Sequence, residues 1–295
     1  MICLEGLVKS FQKIRVLDSL DLTIEAGERI ALVGSNGAGK TTLIRCLLGE
    51  YTHDGRVFVD GLAPRRDRAE VLKRVGFVPQ LPPPLKMPVE DLIAFAAGVS
   101  GADGARIVRV AGELGLDAQE VGKRPFMKLS GGQKQKLLIA IALGRDARLL
   151  ILDEPAANLD PAARRALFDM LAQRTNDTMI VSSHRVDEVA SLVTRVVEME
   201  RGRVVFDDRL VQGPAMAPLS AQLRIAKAEP EFMAAMEEWG LAAEGGGLVW
   251  RGVIAGPDRL RFMHFLSRYS GLLASAAFET RIAEGCHNET IDICA

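Results

Sequence analysis

Cysteine is scarce in this chain, with four in 295 residues, at Cys3, Cys46, Cys286 and Cys294. So few thiols in so long a chain rule out a disulfide framework and suit a reducing compartment. Aromatic residues are also thin, at 5% with two tryptophans, which leaves few platforms for stacking nucleic-acid bases. Neither sign of charge is in excess: 37 Lys and Arg stand against 38 Asp and Glu, a net of −1. No whole-molecule field therefore draws the chain onto a polyanion or an anionic lipid surface. Long apolar runs are missing too. The longest uncharged stretch, Leu210 to Leu223, has about 14 residues where a spanning helix takes about 20, and it contains Pro214 and Pro218. The start Met1-Ile2-Cys3-Leu4-Glu5 lacks a basic region followed by an apolar one, so no targeting leader is expected.

What is present is ordinary globular material, 48% hydrophobic and 25% charged, which excludes disordered and collagen-like classes. The length fits about two domains. Leu20 to Ile24 alternates like a half-buried strand, while Arg29 to Val33, Leu149 to Leu152 and Met179 to Val181 are short continuous apolar runs like buried ones. Helical stretches such as Ala162 to Gln173 and Val186 to Leu192 separate them, and strands alternating with helices imply a largely parallel sheet in an α/β fold. Gln212 to Pro218 has linker composition. The expected division is residues 1–208, a linker over 209–218, and a small α+β domain over 219–295. In that tail the pattern predicts strands at Ala221 to Ala226, Leu248 to Ile254 and Leu272 to Ile282, with helices at Glu229 to Trp239 and Pro257 to Tyr269. Pro82, Pro83 and Pro84 predict a short stiff extended segment.

Chemistry begins at Gly34-Ser35-Asn36-Gly37-Ala38-Gly39-Lys40-Thr41-Thr42, a G-x4-G-K-[ST] phosphate loop placed after a predicted buried strand. Its glycines let successive N–H groups turn towards phosphates, the next helix offers its positive end, and Lys40 adds a mobile cation. Thr41 is the expected hydroxyl ligand of Mg2+. Asp153 and Glu154 end the Leu149 to Leu152 run, at the edge where open α/β sheets bind ligands. Asp153 is the candidate for the Mg2+ shell and Glu154 for a general base on an in-line water, although carboxylates also simply end strands. Leu129-Ser130-Gly131-Gly132-Gln133 opens a helical run with Ser130 as a good N-cap and N–H groups available for an anion.

A phosphate loop, an LSGGQ about 90 residues later and an LLILDEP about 20 residues beyond that resemble the ATP-binding subunits of ABC transporters over residues 2 to 208. The resemblance implies a P-loop NTPase cassette with a mainly parallel core sheet, an antiparallel β part and a helical signature subdomain. It implies ATP and Mg2+ as cofactors. Phe11, with Val16 nearby, matches the aromatic that stacks on adenine, though a generic core aromatic is the plain alternative. Gln80 matches the glutamine that touches Mg2+ and the attacking water, Asp160 the loop that crosses between two subunits, and His184 the histidine that contacts the γ-phosphate. Ser130, Gly131, Gly132 and Gln133 match the signature that covers the ATP held by another subunit's Lys40. The implied partners are a second copy of the chain in a head-to-tail ATP sandwich, a transmembrane permease, and a periplasmic or substrate-delivery component. Nucleic acid is not among them, and the implied location is cytoplasmic, on the inner face of the membrane through the permease.

Departures from the family pattern are Ala156, where threonine or serine is usual, Lys134 and Lys136 where arginines are common, and Ile141 in an unusually apolar helix. Leu81 to Pro88 stands where the permease docks, and its prolines read either as a rigid docking surface or as an irregular loop. The tail is similar in pattern to the small C-terminal domain of exporter-type ABC ATPases, including the subunit of the copper-linked transporter that serves nitrous-oxide reductase maturation; importer ATPases also carry C-terminal regulatory domains, so the tail does not by itself set the direction of transport, and export is the expected one. Cys286, His287 and Cys294 offer donors for Cu(I) or Zn2+, or are incidental thiols at a solvated end. The competing class, a soluble ABC protein on ribosomes or DNA, normally carries two cassettes or a long coiled coil between the motifs, which this chain lacks.

Overall fold

The computed structural model describes residues 1–183, 186–210, 218–269 and 271–280. It divides into two compact units, Met1–Arg209 and Leu210–Ala295.

In the first unit, β1 (Ile2–Phe11), β2 (Ile14–Ile24) and β4 (Asp54–Val59) form an antiparallel sheet in the order β2-β1-β4. Ile2, Leu4 and Leu7 of β1 face the core, the register shifting between Leu4 and Leu7. A second sheet takes β5 (Val75–Val78), β6 (Leu149–Asp153), β7 (Thr178–Ser183), β3 (Arg29–Val33), β8 (Arg195–Glu200) and β9 (Arg203–Arg209), in that order. All its neighbours are parallel except β8 and β9. Strands β3, β6 and β7 are buried at every residue. They show no alternation because both faces are covered.

Helix α1 (Lys40–Leu47) follows β3 and α2 (Arg68–Arg74) precedes β5. Helices α3 (Val89–Ser100), α4 (Gly104–Glu113) and α5 (Gly131–Leu143) pack on one another as a helical subdomain. Asp103 caps α4 by accepting from the Ala105 N–H, and Ser130 caps α5. Helix α6 (Pro161–Ala172) joins β6 to β7, with proline at its first position where no N–H is needed. The Val186 to Leu192 stretch divides into α7 (Val186–Val189) and a 3-10 turn over Ala190–Leu192. The three prolines are not uniformly extended, since the Leu85 N–H closes a tight turn onto the Pro83 carbonyl at 2.9 Å.

The second unit orders its elements as β10 (Leu219–Ile225), α8 (Pro230–Glu238), β11 (Ala242–Glu244), β12 (Val249–Ile254), α9 (Arg259–Ser267) and β13 (Leu273–Thr280). The sheet order β11-β12-β10-β13, antiparallel throughout, is that of a split βαβ sandwich. Leu223, Phe232, Met236, Trp250 and Phe262 are fully buried in its core. Trp250 Nε1 donates to the Gly247 carbonyl at 2.9 Å, so the indole is buried without an orphaned donor. Both tryptophans, Trp239 and Trp250, lie here, so their fluorescence follows this unit alone. Phe232→Ala should cost the unit about 3–5 kcal/mol, a cavity where the ring met Tyr269 edge-on. Tryptophan fluorescence in a urea titration checks it, and an unchanged midpoint contradicts the core assignment.

Among the described residues no helix is long and apolar enough to cross a membrane. The Gln212 to Ala217 part of the linker, and Cys286, His287 and Cys294, lie outside the described residues.

Candidate functional site

Parallel pairing decides which residues meet. Val33 is paired with Ser183, Asp153 with Ser182, and Val78 with Leu152. Strands that run side by side in one direction deliver the residues that follow them to a single edge. The loop after β3, the two carboxylates at the end of β6 and Gln80, two residues past β5, therefore converge there. A cavity of about 170 Å³ is lined by Val16, Ser35 through Thr42, Gln80 and Glu154.

The loop is tightly confined. Gly34 has φ +146°, and a Cβ there would stand 2.3 Å from the Met199 carbonyl oxygen. Gly39 has φ +107°, and its Cβ would meet Leu17 Cδ2 at 2.9 Å and the Val16 carbonyl at 3.1 Å. Both positions thus require glycine for conformation and for space. Lys40, only 6% exposed, donates from Nζ to the carbonyls of Gly34 at 2.5 Å and Ser35 at 3.2 Å, which holds the loop in a ring around its ammonium.

Asp153 is buried, and its two oxygens are used separately. Oδ2 accepts from Thr41 Oγ1 at 3.0 Å and Oδ1 from Ser182 Oγ at 2.6 Å. Ser182 Oγ also accepts from the Glu154 N–H at 2.9 Å, which pins the turn in which Glu154 adopts φ +50°. Ser182 was not singled out in the sequence, where a serine at a strand end carries no signal. Its partnership arises from the β6–β7 register. The oxygen donors of Thr41, Asp153 and Gln80 are a hard set that suits Mg2+. Cys46 on α1 is fully buried, and burial pushes its thiol up to about 11, so it fills space in the core.

Other expected site residues lie elsewhere. Ser130, Gly131, Gly132 and Gln133 do not line this cavity. They open α5, where Ser130 and Gln133 make a reciprocal capping box: the Ser130 N–H donates to Gln133 Oε1 and the Gln133 N–H to Ser130 Oγ. Phe11 ends β1, is 40% exposed, and meets Tyr51 edge-on at 5.2 Å with Lys9 Nζ 4.6 Å from its ring centre. This cation–aromatic group was not foreseen. Asp160 caps α6, its Oδ1 accepting from the Ala163 N–H at 2.9 Å, while Oδ2 pairs with Lys136 Nζ at 2.7 Å. The Lys136 ammonium, and after it the helix N–H, hold the Asp160 carboxyl below its ordinary range. His184 lies outside the described residues.

This fold and site define a P-loop NTPase of the ATP-binding-cassette type. The family model described as ABC transporter matches residues 17–157. The cobalt import ATP-binding protein of Syntrophus aciditrophicus is 40% identical over 204 residues, 66% of this chain and 72% of that one. The phosphonates import ATP-binding protein of Burkholderia pseudomallei is 34% identical over 240 residues, 72% of this chain and 76% of that one. The dimeric structure of a post-hydrolysis state of an ATP-binding cassette, bound to ADP and Pi, covers 72% of this chain and all of its own length at TM-score 0.63 and 22% identity, a likeness of fold. The chain belongs to the ATP-binding proteins of ABC transporters.

Proposed function

We propose that the chain hydrolyses ATP to power a separate membrane permease, working as a pair of copies that close on two ATP molecules. The convergence of Lys40, Thr41–Asp153, Gln80 and Glu154 on one cavity carries this reading. Lys40 leaves the Gly34 and Ser35 carbonyls for the β- and γ-phosphates, and the N–H groups of the loop receive the phosphate oxygens. Thr41, Asp153 and Gln80 would hold Mg2+, which spreads the phosphate charge when bound. Glu154 takes a proton from the attacking water as its oxygen bonds to the γ-phosphorus and the bond to the β–γ bridging oxygen breaks, giving ADP and phosphate. Ser130 and Gly132 reach the nucleotide from the second copy, which accounts for their distance from their own chain's cavity. Loss of the γ-phosphate removes the shared ligand, and the pair reopens. The place of His184 after β7 supports a γ-phosphate contact, and Phe11 with Val16 supports the adenine end.

Exposed apolar side chains, Leu81 at 77% in the segment between β5 and α3 and Phe95 at 61% and Val99 at 60% on α3, supply surface for a protein partner. The export direction rests on the split βαβ pattern of the second unit alone, while relatives named for import of cobalt and phosphonates weigh the other way. The test is purification of the full tagged chain from detergent-solubilised membranes. A polytopic membrane protein should accompany it and stimulate its ATP turnover. Sedimentation with ribosomes or DNA instead would overturn the transporter reading.

A further inference from the structure

Glu154 stands where the sheet's own pairing ends. The last rung between β6 and β7 joins Asp153 to Ser182, so residue 154 is the first that the strand no longer holds. Its backbone, at φ +50°, is one that side chains rarely adopt, and the proline at position 155 narrows its choices further. Its surroundings leave it room. Glu154 lines the nucleotide cavity with Gln80 and the phosphate loop, and it also lines a second cavity of about 220 Å³ with Ala156, Phe168, Val181 and Val189. A general base must stand within hydrogen-bond reach of one water, so a carboxylate that borders two cavities needs a contact that holds it at the first.

Ser182 supplies that contact. It is fully buried near the end of β7, and its Oγ gives its one proton to Asp153 Oδ1 at 2.6 Å, which leaves its lone pairs to accept the Glu154 N–H at 2.9 Å. The other oxygen of Asp153 accepts from Thr41 on α1 at 3.0 Å. A line of hydrogen bonds therefore runs from the start of α1 through Asp153 and one hydroxyl to the backbone of Glu154. In a buried site water does not compete for these groups, and each bond strengthens the next. Resting on the general-base reading above, we infer that Ser182 is a positioning residue whose hydroxyl holds Glu154 at the nucleotide cavity by tying its backbone to Asp153. Ser182 does not line that cavity itself and acts through Glu154.

Phosphate release by the wild-type full-length protein and by Glu154→Gln is measured first. No turnover in the former, or rapid turnover in the latter, would overturn the general-base reading and this inference together. With that reading in place, Ser182→Ala should lower maximal turnover about tenfold, the scale of one buried hydrogen bond, while the affinity for a fluorescent ATP analogue stays within about twofold. Ser182→Thr and Ser182→Val add the same bulk and differ in the hydroxyl, so any packing cost is common to both. Ser182→Thr should turn over close to wild type, and Ser182→Val about tenfold more slowly. In single turnover, Ser182→Ala combined with Glu154→Gln should be no slower than Glu154→Gln alone, because a residue that acts through Glu154 has nothing left to position. Equal turnover in Ser182→Thr and Ser182→Val, or wild-type turnover in Ser182→Ala, would overturn the inference and leave Glu154 as the base. So would a further loss in the double variant, or nucleotide affinity that falls with turnover in Ser182→Ala, since either assigns the hydroxyl to Asp153 alone. If the added methyl unfolds both larger variants, Ser182→Ala and the double variant decide.

Discussion

Lys40→Met should abolish measurable ATP turnover and weaken nucleotide binding by about 10- to 100-fold, the scale of losing one or two hydrogen bonds from a charged donor. Methionine keeps an unbranched apolar stem in a position only 6% exposed, so the variant removes the cation and little else. The Gly34 and Ser35 carbonyls lose the ammonium that now gathers them. They are backbone groups of a loop bordering the cavity, where water can replace Nζ. The fold should therefore survive while the phosphates lose their mobile counter-charge. Titration with a fluorescent ATP analogue measures the affinity and phosphate release the turnover. An unchanged affinity would mean that nucleotide phosphates do not sit in the Gly34–Gly39 loop, and the site would have to be sought elsewhere.

How much of this was legible in the sequence follows from what each feature depends on. Strands β3, β6 and β7 announce themselves as apolar runs because a parallel strand covered on both faces needs nothing else. The tail's alternation of strand and helix is equally plain, except for β11. Its residues Ala242, Ala243 and Glu244 are all exposed, so no inward face imposes a period of two. That strand follows from the hairpin at Gly245, Gly246 and Gly247, all at positive φ, which returns the chain onto β12.

In the site, the phosphate loop and the Asp153-Glu154 pair stand out in the sequence because each directly follows the apolar run of a buried strand. Ser182 does not, since only the pairing of β6 with β7 puts its hydroxyl between Asp153 and the Glu154 N–H. Asp160 was expected at a subunit boundary, and the structure shows both of its oxygens engaged within its own chain. Its bond to Lys136 depends on how α5 packs beside the end of β6, a tertiary fact that no local pattern encodes. The Phe11, Tyr51 and Lys9 group is of the same kind, because β1 and the residues before β4 are brought together only by antiparallel pairing.

Glu154→Gln should lower ATP turnover by about 10²- to 10⁴-fold, the usual contribution of a positioned general base, while ATP still binds with near wild-type affinity. Glutamine preserves the shape of the side chain. The hydrogen bond that fixes this turn comes from the backbone N–H of residue 154 to Ser182 Oγ, so it survives the change. What is lost is the capacity to accept a proton from water. With hydrolysis stopped, ATP persists as the ligand shared by two copies, and the variant should accumulate as a dimer with ATP and revert to monomer with ADP. Asp153→Asn is the contrasting variant, because its carboxylate accepts from both Thr41 and Ser182 and belongs to the expected Mg2+ shell. That change should impair nucleotide binding itself and yield no dimer. Phosphate release and sedimentation with each nucleotide separate the two carboxylates. Rapid turnover by Glu154→Gln would remove Glu154 from the role of base. Loss of ATP binding would assign it to holding the nucleotide instead.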